Sequence, residues 1–281
     1  MSPDQRLPVR RTAKLSIGGQ FPRSESGRTY EVVSADGRFL AHVARASRKD
    51  LRDAVVAARG ALAGWAARTA YNRGQILYRV AEIMEGRRAQ LEDELRDSGA
   101  ADPADEVSRA IDRWVWYAGW ADKIAQVAGG ANPVAGPYFN FTVPEPTGVV
   151  GIIAPAEPSL LGLVSRIGPV IVSGNVAVAV ASESSPLPGV SLAEALATSD
   201  VPGGVINVLT GSPRELVPWL AAHMDVNAID LTGCPDDLIP EAERAAADNV
   251  KRVHRAGPAE QHLSEITAFV EFKTVWHPMG A

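Results

Sequence analysis

The stretch "VVGIIAPAEPSLLGLVSRIGPVIV", residues 149–172, decides the fold. Val149 to Ile153 is apolar almost throughout, as a strand buried on both faces of a parallel sheet must be. Pro155 and Pro158 mark a turn. From Leu160 to Val172 the apolar residues recur with helical spacing. A strand, a tight turn and a helix form the unit at which α/β proteins place nucleotide-binding crevices. Yet the turn itself, "IIAPAEPSLLG" at 152–162, has no glycine pattern, no Asn and no Lys. It keeps the backbone layout of a cofactor site without the side chains that would serve one.

The same alternation continues downstream. Strands are predicted at 148–154, 176–181, 205–210, 226–231 and 250–254, and helices at 159–172, 188–198, 213–222 and 239–247. Five strands alternating with four helices make an α/β fold with a doubly wound parallel sheet. After residue 255 the pattern stops: "AGPAEQ" reads as a loop, "LSEITAFV" as a short helix and "EFKTVW", 271–276, as a final strand. Upstream, short strands at Tyr30 to Val33 and Phe39 to Val43 flank a turn at Asp36-Gly37. Ser47 is a helix N-cap with Asp50 at the third helical position. Helices follow at about 48–64, 71–97 and 103–127, the second with Ile76, Leu77, Val80, Ile83 and Met84 on one face. The third carries Trp114, Trp116, Tyr117 and Trp120, read as packing rings rather than a ligand box.

"AGGANPVAGP", 128–137, is a small-residue linker. In "YFNFTVPEP", 138–146, Phe139, Phe141 and Val143 alternate with Tyr138, Asn140 and Thr142. Pro144 and Pro146 argue for an edge or excursion strand rather than a central one. The division expected is 1–127 for N-terminal strands and helices, 128–147 for a strand excursion, 148–257 for a Rossmann-like domain and 258–281 for a C-terminal segment.

Composition excludes several classes. A chain of 281 residues, 46% hydrophobic, builds a large core, and a net charge of −5 opposes nucleic-acid binding. No window reaches the ~18 apolar residues of a membrane span. "MSPDQRLPVRRTAK" has no apolar signal region, and the single cysteine fits a reducing, cytoplasmic setting. His42, His223, His254, His262 and His277 read as isolated, with no metal-ligand spacing.

With these segments in view, the chain resembles the aldehyde dehydrogenase superfamily. "EPTGVVGIIAP" is similar to that family's entry to its cofactor domain, E-P-x-G-V-V-G-I-I-x-P. "GNVAVAVASESSPL" resembles G-N-T-V-V-x-K-P-S-E-x-T-P-L, "VPGGVINVLTG" resembles G-V-x-N-V-V-x-G, and "DVNAIDLTG" resembles a strand ending I-x-F-T-G. "NVKRVHRAG" is similar to N-L-K-R-V-x-L-E-L-G, and "EFKTVWHP" to the C-terminal Y-x-x-x-K-T-V-W. "GWAARTAYNRGQILYRVAEIMEGRRAQL" also fits, so the resemblance runs along nearly the whole chain. The fifth Rossmann strand at Val253 and the C-terminal segment at Leu263 lie close together, where the family has a whole catalytic domain.

The resemblance implies oxidation of an aldehyde through a cysteine thiohemiacetal, with hydride passing to NAD(P). Most of the groups it requires are missing. The only thiol, Cys234, follows Thr232-Gly233 in the cofactor loop and is flanked by Pro235, Asp236 and Asp237. The family's W-N oxyanion donor corresponds to Ala156-Glu157, its general-base glutamate to Ala256 and its ribose lysine to Val180. An ionised carboxylate at Glu157 only accepts hydrogen bonds; it reads as a solvated acid at a helix start. Glu183 stays at the ribose-facing position, and the phosphate turn has become "GCPDDL", with Asp236 and Asp237 opposing a pyrophosphate. Ile153, Pro155, Glu183, Gly211 and Gly233 remain as vestigial cofactor-binding positions; no catalytic or metal-binding residue is expected.

The expected cofactor state is none, or weak NAD(P). The two strands that form the family's oligomerisation sheet are kept, with Phe139, Phe141, Val143, Phe272, Val275 and Trp276 as interface residues that lack intrachain cover. The function expected is a non-catalytic subunit that pairs with and stabilises an active, full-length aldehyde dehydrogenase, or with a second copy of itself. The alternatives are an NAD(P)-dependent oxidoreductase acting through a shared site, and a degenerate nucleotide-sensing module.

Overall fold

The computed structural model describes residues 9–280. The signal-region reading of residues 1–8 lies outside them.

The chain opens with β1 (Thr12–Ala13), β2 (Thr29–Val33) and β3 (Phe39–Ala44), a small sheet in the order β1-β3-β2. Helices α1 (Arg48–Ala66), α2 (Ala70–Gly86), α3 (Arg88–Ser98), α4 (Pro103–Trp120) and α5 (Ile124–Ala128) follow. Ser47 caps α1 in a full capping box with Asp50. Asp50 also accepts from Ser24 Oγ at 2.7 Å and the Glu25 amide at 3.1 Å, which ties the helix start to the preceding loop. The single helix expected over 71–97 is two. The break comes at Gly86-Arg87, where Arg87 leaves helical geometry at φ −108° and ψ 10°. The helix expected over 103–127 likewise divides after Trp120.

Next come β4 (Gly130–Asn132) and β5 (Tyr138–Pro146), then the core: β6 (Val149–Ile153), α6 (Ser159–Val172), β7 (Val176–Val180), α7 (Leu187–Ala197), β8 (Ile206–Leu209), α8 (Pro213–Ala222), β9 (Ala228–Asp230), α9 (Ile239–Ala247) and β10 (Arg252–His254). The five core strands form one parallel sheet, β10-β9-β6-β7-β8. The strand order turns back at β6, so the crevice between the carboxyl ends of β6 and β9 is the topological switch point. Helices α6 and α7 cover one face, with α2, α3 and α4 packed behind them; α1, α8 and α9 cover the other. This double layer explains why every residue of α6 is buried. The aromatic residues of α4 pack as expected: Trp114 and Tyr117 are fully buried, and Gly168 of α6 leaves room for the Tyr117 ring. No helix among the described residues is long and apolar enough to cross a membrane.

The chain ends in α10 (Leu263–Thr267) and β11 (Val270–Pro278). β11 pairs antiparallel with β5 over the whole of both strands, from Val270 opposite Pro146 to Pro278 opposite Tyr138. The third sheet is ordered β11-β5-β4. This corrects two expectations. β5 is the central strand, and the two segments cover one another's edges within the chain. The prolines are accommodated because β4 pairs only with Asn140 to Thr142; Pro144 and Pro146 lie beyond its reach, paired with β11 alone.

Candidate functional site

At the switch point the structure brings together three of the five positions expected from the sequence as cofactor-binding, Ile153, Pro155 and Gly233. The Gly233 amide donates to Ile153 O at 2.9 Å. A Cβ on Gly233 would overlap the Ala154 carbonyl and stand 2.5 Å from the Pro155 nitrogen. The loop after β9 therefore lies directly on the end of β6 and closes the crevice there.

The other two positions lie one loop away. Gly211 has φ +140° and packs against the Arg45-Ala46 backbone, where a Cβ would come within 3.1 Å of Ala46 N. Glu183 is exposed, and its Oε2 accepts from Ser212 Oγ at 3.1 Å. Val180, in the ribose-lysine position, is fully buried at the end of β7.

The phosphate turn differs from its sequence reading in one respect. Asp237 is not a bare charge: Arg214, near the start of α8, donates to it at 2.6 and 3.1 Å. The pair joins α8 to the 3-10 turn Asp236–Leu238 that precedes α9. The Arg214 bond holds the Asp237 carboxyl below its ordinary value. Asp236 has Arg255 only at 4.0 Å.

A further carboxylate fills the first strand-to-helix turn. Glu106 of α4, buried, accepts from the Leu160 and Leu161 amides at 2.8 and 3.2 Å. It satisfies two of the free N–H groups of α6 and takes the place an anion would occupy there. Glu157, expected as the acid at this helix start, is exposed and makes none of these bonds. Sequence reasoning missed Glu106 because it comes from another helix.

Cys234 is buried, and burial pushes its thiol up to about 11, with Asp236 and Asp237 adding to the rise against Arg255. It is a neutral thiol at physiological pH, unsuited to nucleophilic attack. Ala256 offers only its backbone: its amide donates to Thr232 Oγ1 at 3.1 Å.

A second assembly lies where β10 hands over to the C-terminal segment. Arg166 of α6 has no exposed surface. It reaches Glu265 of α10, Asp230 at 3.7 Å and the Glu260 carbonyl at 3.2 Å. Arg113 of α4 donates to the Ala259 and Glu260 carbonyls at 3.1 and 2.7 Å. His254, read as isolated, contacts Glu265 at 2.9 Å. Between β10 and β11 there are only residues 255–269, so this cluster is what fastens the returning chain to the sheet. Among the described residues no group of three or more His, Cys, Asp or Glu side chains is placed to hold a metal ion.

Burial of His254 opposes its charge, but the Glu265 bond and the Asp230 charge outweigh burial and raise its pKa. A raised histidine stabilises the fold fully below its unfolded pKa of about 6.5 and loses that contribution as pH rises through the folded value. The urea midpoint of the wild-type protein should therefore fall between about pH 6 and pH 9. His254→Gln should flatten this dependence; equal slopes for the two proteins would count against the linkage.

The comparisons agree with this geometry. The aldehyde dehydrogenase family profile matches residues 21–262. The chain is similar to 2-hydroxymuconic semialdehyde dehydrogenase of Pseudomonas sp. (strain CF600), 37% identical over 252 residues, which are 85% of this chain and 51% of that protein. It is similar to cytosolic aldehyde dehydrogenase 1 of Elephantulus edwardii, 32% identical over 248 residues, 85% of this chain and 49% of that one. Among solved structures, an NAD-dependent aldehyde dehydrogenase from Sinorhizobium meliloti superposes with a TM-score of 0.81 at 26% identity, over 92% of this chain and 52% of that one. An aldehyde dehydrogenase from Bacillus cereus in its NAD+ complex gives 0.80 at 27% identity, over 87% of this chain and 50% of that one. The fold is the Rossmann-like domain of these aldehyde dehydrogenases. The protein belongs to the aldehyde dehydrogenase family, and it spans about half the length of these relatives.

Proposed function

We propose that this chain is a non-catalytic member of its family that pairs with and stabilises an active aldehyde dehydrogenase. The observation that carries this reading is the third sheet. Its pairing puts Phe139, Phe141, Val143 and Val275 on one face and Tyr138, Trp276 and Phe272 on the other. Phe139 is 48% exposed on the first face, and Trp276 and Phe272 are 58% and 50% exposed on the second. Apolar side chains exposed on both sides of one small sheet support its use as a partner surface.

The chemistry points the same way. The one thiol is buried and neutral, and among the described residues no oxyanion donor or general base replaces those the family uses. The residues present also fit NAD(P) poorly: Val180 offers no charge to a ribose, and Glu106 occupies the α6 amides. We expect no saturable NAD(P) binding at micromolar concentration.

Co-expression with full-length aldehyde dehydrogenases, followed by size-exclusion chromatography with light scattering, tests the reading. A mixed oligomer is expected. Phe141→Asp and Trp276→Asp, one on each face, should each weaken it, and together abolish it while the Rossmann core stays folded. A chain that remains monomeric and stable beside every such partner would sink the subunit reading.

A further inference from the structure

On the α1/α8 side of the sheet lies a groove that shares only Arg214 with the crevice and nothing with the third sheet. Trp219 of α8 and His223, just past its end, face Arg48, Lys49 and Arg52 of α1 across a cavity of about 630 Å³, with Glu25 on its rim. That volume is within the range of small-molecule sites. A second lobe of about 450 Å³ shares Ser47, Arg48 and Trp219, and adds Arg28, Arg214 and Glu215. The two lobes together carry five cationic side chains against two carboxylates, on a chain whose net charge is −5.

We propose that this groove binds a nucleoside monophosphate, its base stacked at Trp219 and its phosphate among Arg48, Lys49 and Arg52. Trp219 is 43% exposed, and the Arg48 guanidinium lies 4.0 Å over its ring. The guanidinium covers this face of the indole, so a nucleobase would stack there by displacing Arg48, which the move leaves free for the phosphate. The cations are available. Lys49 pairs with Glu25 at 3.5 Å and Arg52 with its neighbour Asp53 at 2.7 Å, both at the surface, where such pairs are weak and easily exchanged for a phosphate. Among the described residues Arg48 donates no hydrogen bond to a carboxylate, and it is held at the first position of α1 by the Ser47–Asp50 capping box. The α1 amides of Lys49 and Asp50 already bond to Ser47 Oγ at 3.2 and 3.3 Å. Side chains, not the helix end, would hold the anion. A bare phosphate leaves the Trp219 lobe empty, and an uncharged base leaves the cations unmatched; the combination fills both.

Isothermal titration of the whole protein with adenosine 5′-monophosphate tests this, with adenosine and inorganic phosphate as separate arms. Saturable binding in the sub-millimolar range is expected, with each fragment weaker by about tenfold or more. Trp219→Ala and Arg48→Gln should each weaken binding by about tenfold. Both side chains are at the surface, so unchanged circular dichroism checks folding, and Arg52→Gln provides a third reading. The proposal fails if no saturable binding is seen, if phosphate alone binds as tightly, or if the Trp219 and Arg48 variants bind normally. It also fails if Glu183→Gln removes the binding, since that would place the ligand in the crevice. None of these results bears on the mixed oligomer, which is read by chromatography.

Discussion

Gly233→Ala should destabilise the protein severely. The residue sits in "DLTG", a segment that resembles a cofactor loop, and a role in cofactor contact would predict a variant that folds well and binds NAD(P) less. The structure gives a different reason for the glycine. Its amide bonds to Ile153 O at 2.9 Å, and an added methyl would overlap the Ala154 carbonyl. The obstacle is backbone at the end of a central strand, which cannot rotate away as a side chain can. Overpacking of this kind costs about 3 kcal/mol or more, and in a domain of this size that lowers the melting temperature by roughly 6–12 °C. Gly64→Ala supplies the opposite control. Gly64 lies inside α1 with nothing within 4 Å of an added Cβ, so alanine there should stabilise by up to about 1 kcal/mol. Differential scanning calorimetry of both variants decides the matter. A Gly233→Ala protein that melts with the wild type would mean that the β6–β9 crevice has room for a methyl beside the Ala154 carbonyl.

The parts of the fold that are legible in the sequence are those written in local pattern. The helices at 159–172, 213–222 and 239–247 begin and end where the apolar spacing places them. β6 and β7, buried on both faces, carry no polar residue to blur the signal. The Ser47–Asp50 box is legible because both members sit within one turn. What is not legible depends on partners far apart in the chain. Glu106 caps a helix that starts more than fifty positions later, and nothing around "ADEVS" announces it. Pro144 and Pro146 argue locally for an edge strand, but the short reach of β4 makes them compatible with a central one. The same limit applies to the candidate site. Ile153, Pro155 and Gly233 stand out by their motifs, yet their mutual contact, and the Arg214–Asp237 link across the phosphate turn, emerge only from the folded arrangement.

The buried cluster around Arg166 is the other place where one substitution should have a large effect. Arg166→Met keeps the volume and apolar stem of the side chain but removes the fully buried cation between Asp230 and Glu265. Asp230 has no exposed surface, and burial already pushes its carboxyl up; Arg166 is the largest influence opposing that rise. Without it, two buried acids face one histidine. Breaking a buried ion pair from one side costs about 3–5 kcal/mol, because the stranded charge must be neutralised or exposed. The loss should be local first. Glu265 and the Glu260 carbonyl belong to the segment that joins β10 to β11, so hydrogen exchange should speed up over 257–269 before the sheet core is affected. Glu265→Gln in the Arg166→Met background removes one of the stranded charges and should recover part of the stability, giving a coupling well above the ~0.5 kcal/mol seen for independent sites. If Arg166→Met instead costs less than about 1 kcal/mol and leaves exchange in 257–269 unchanged, the returning chain is held by the apolar contacts of Ile266 and Phe269 rather than by this charge cluster.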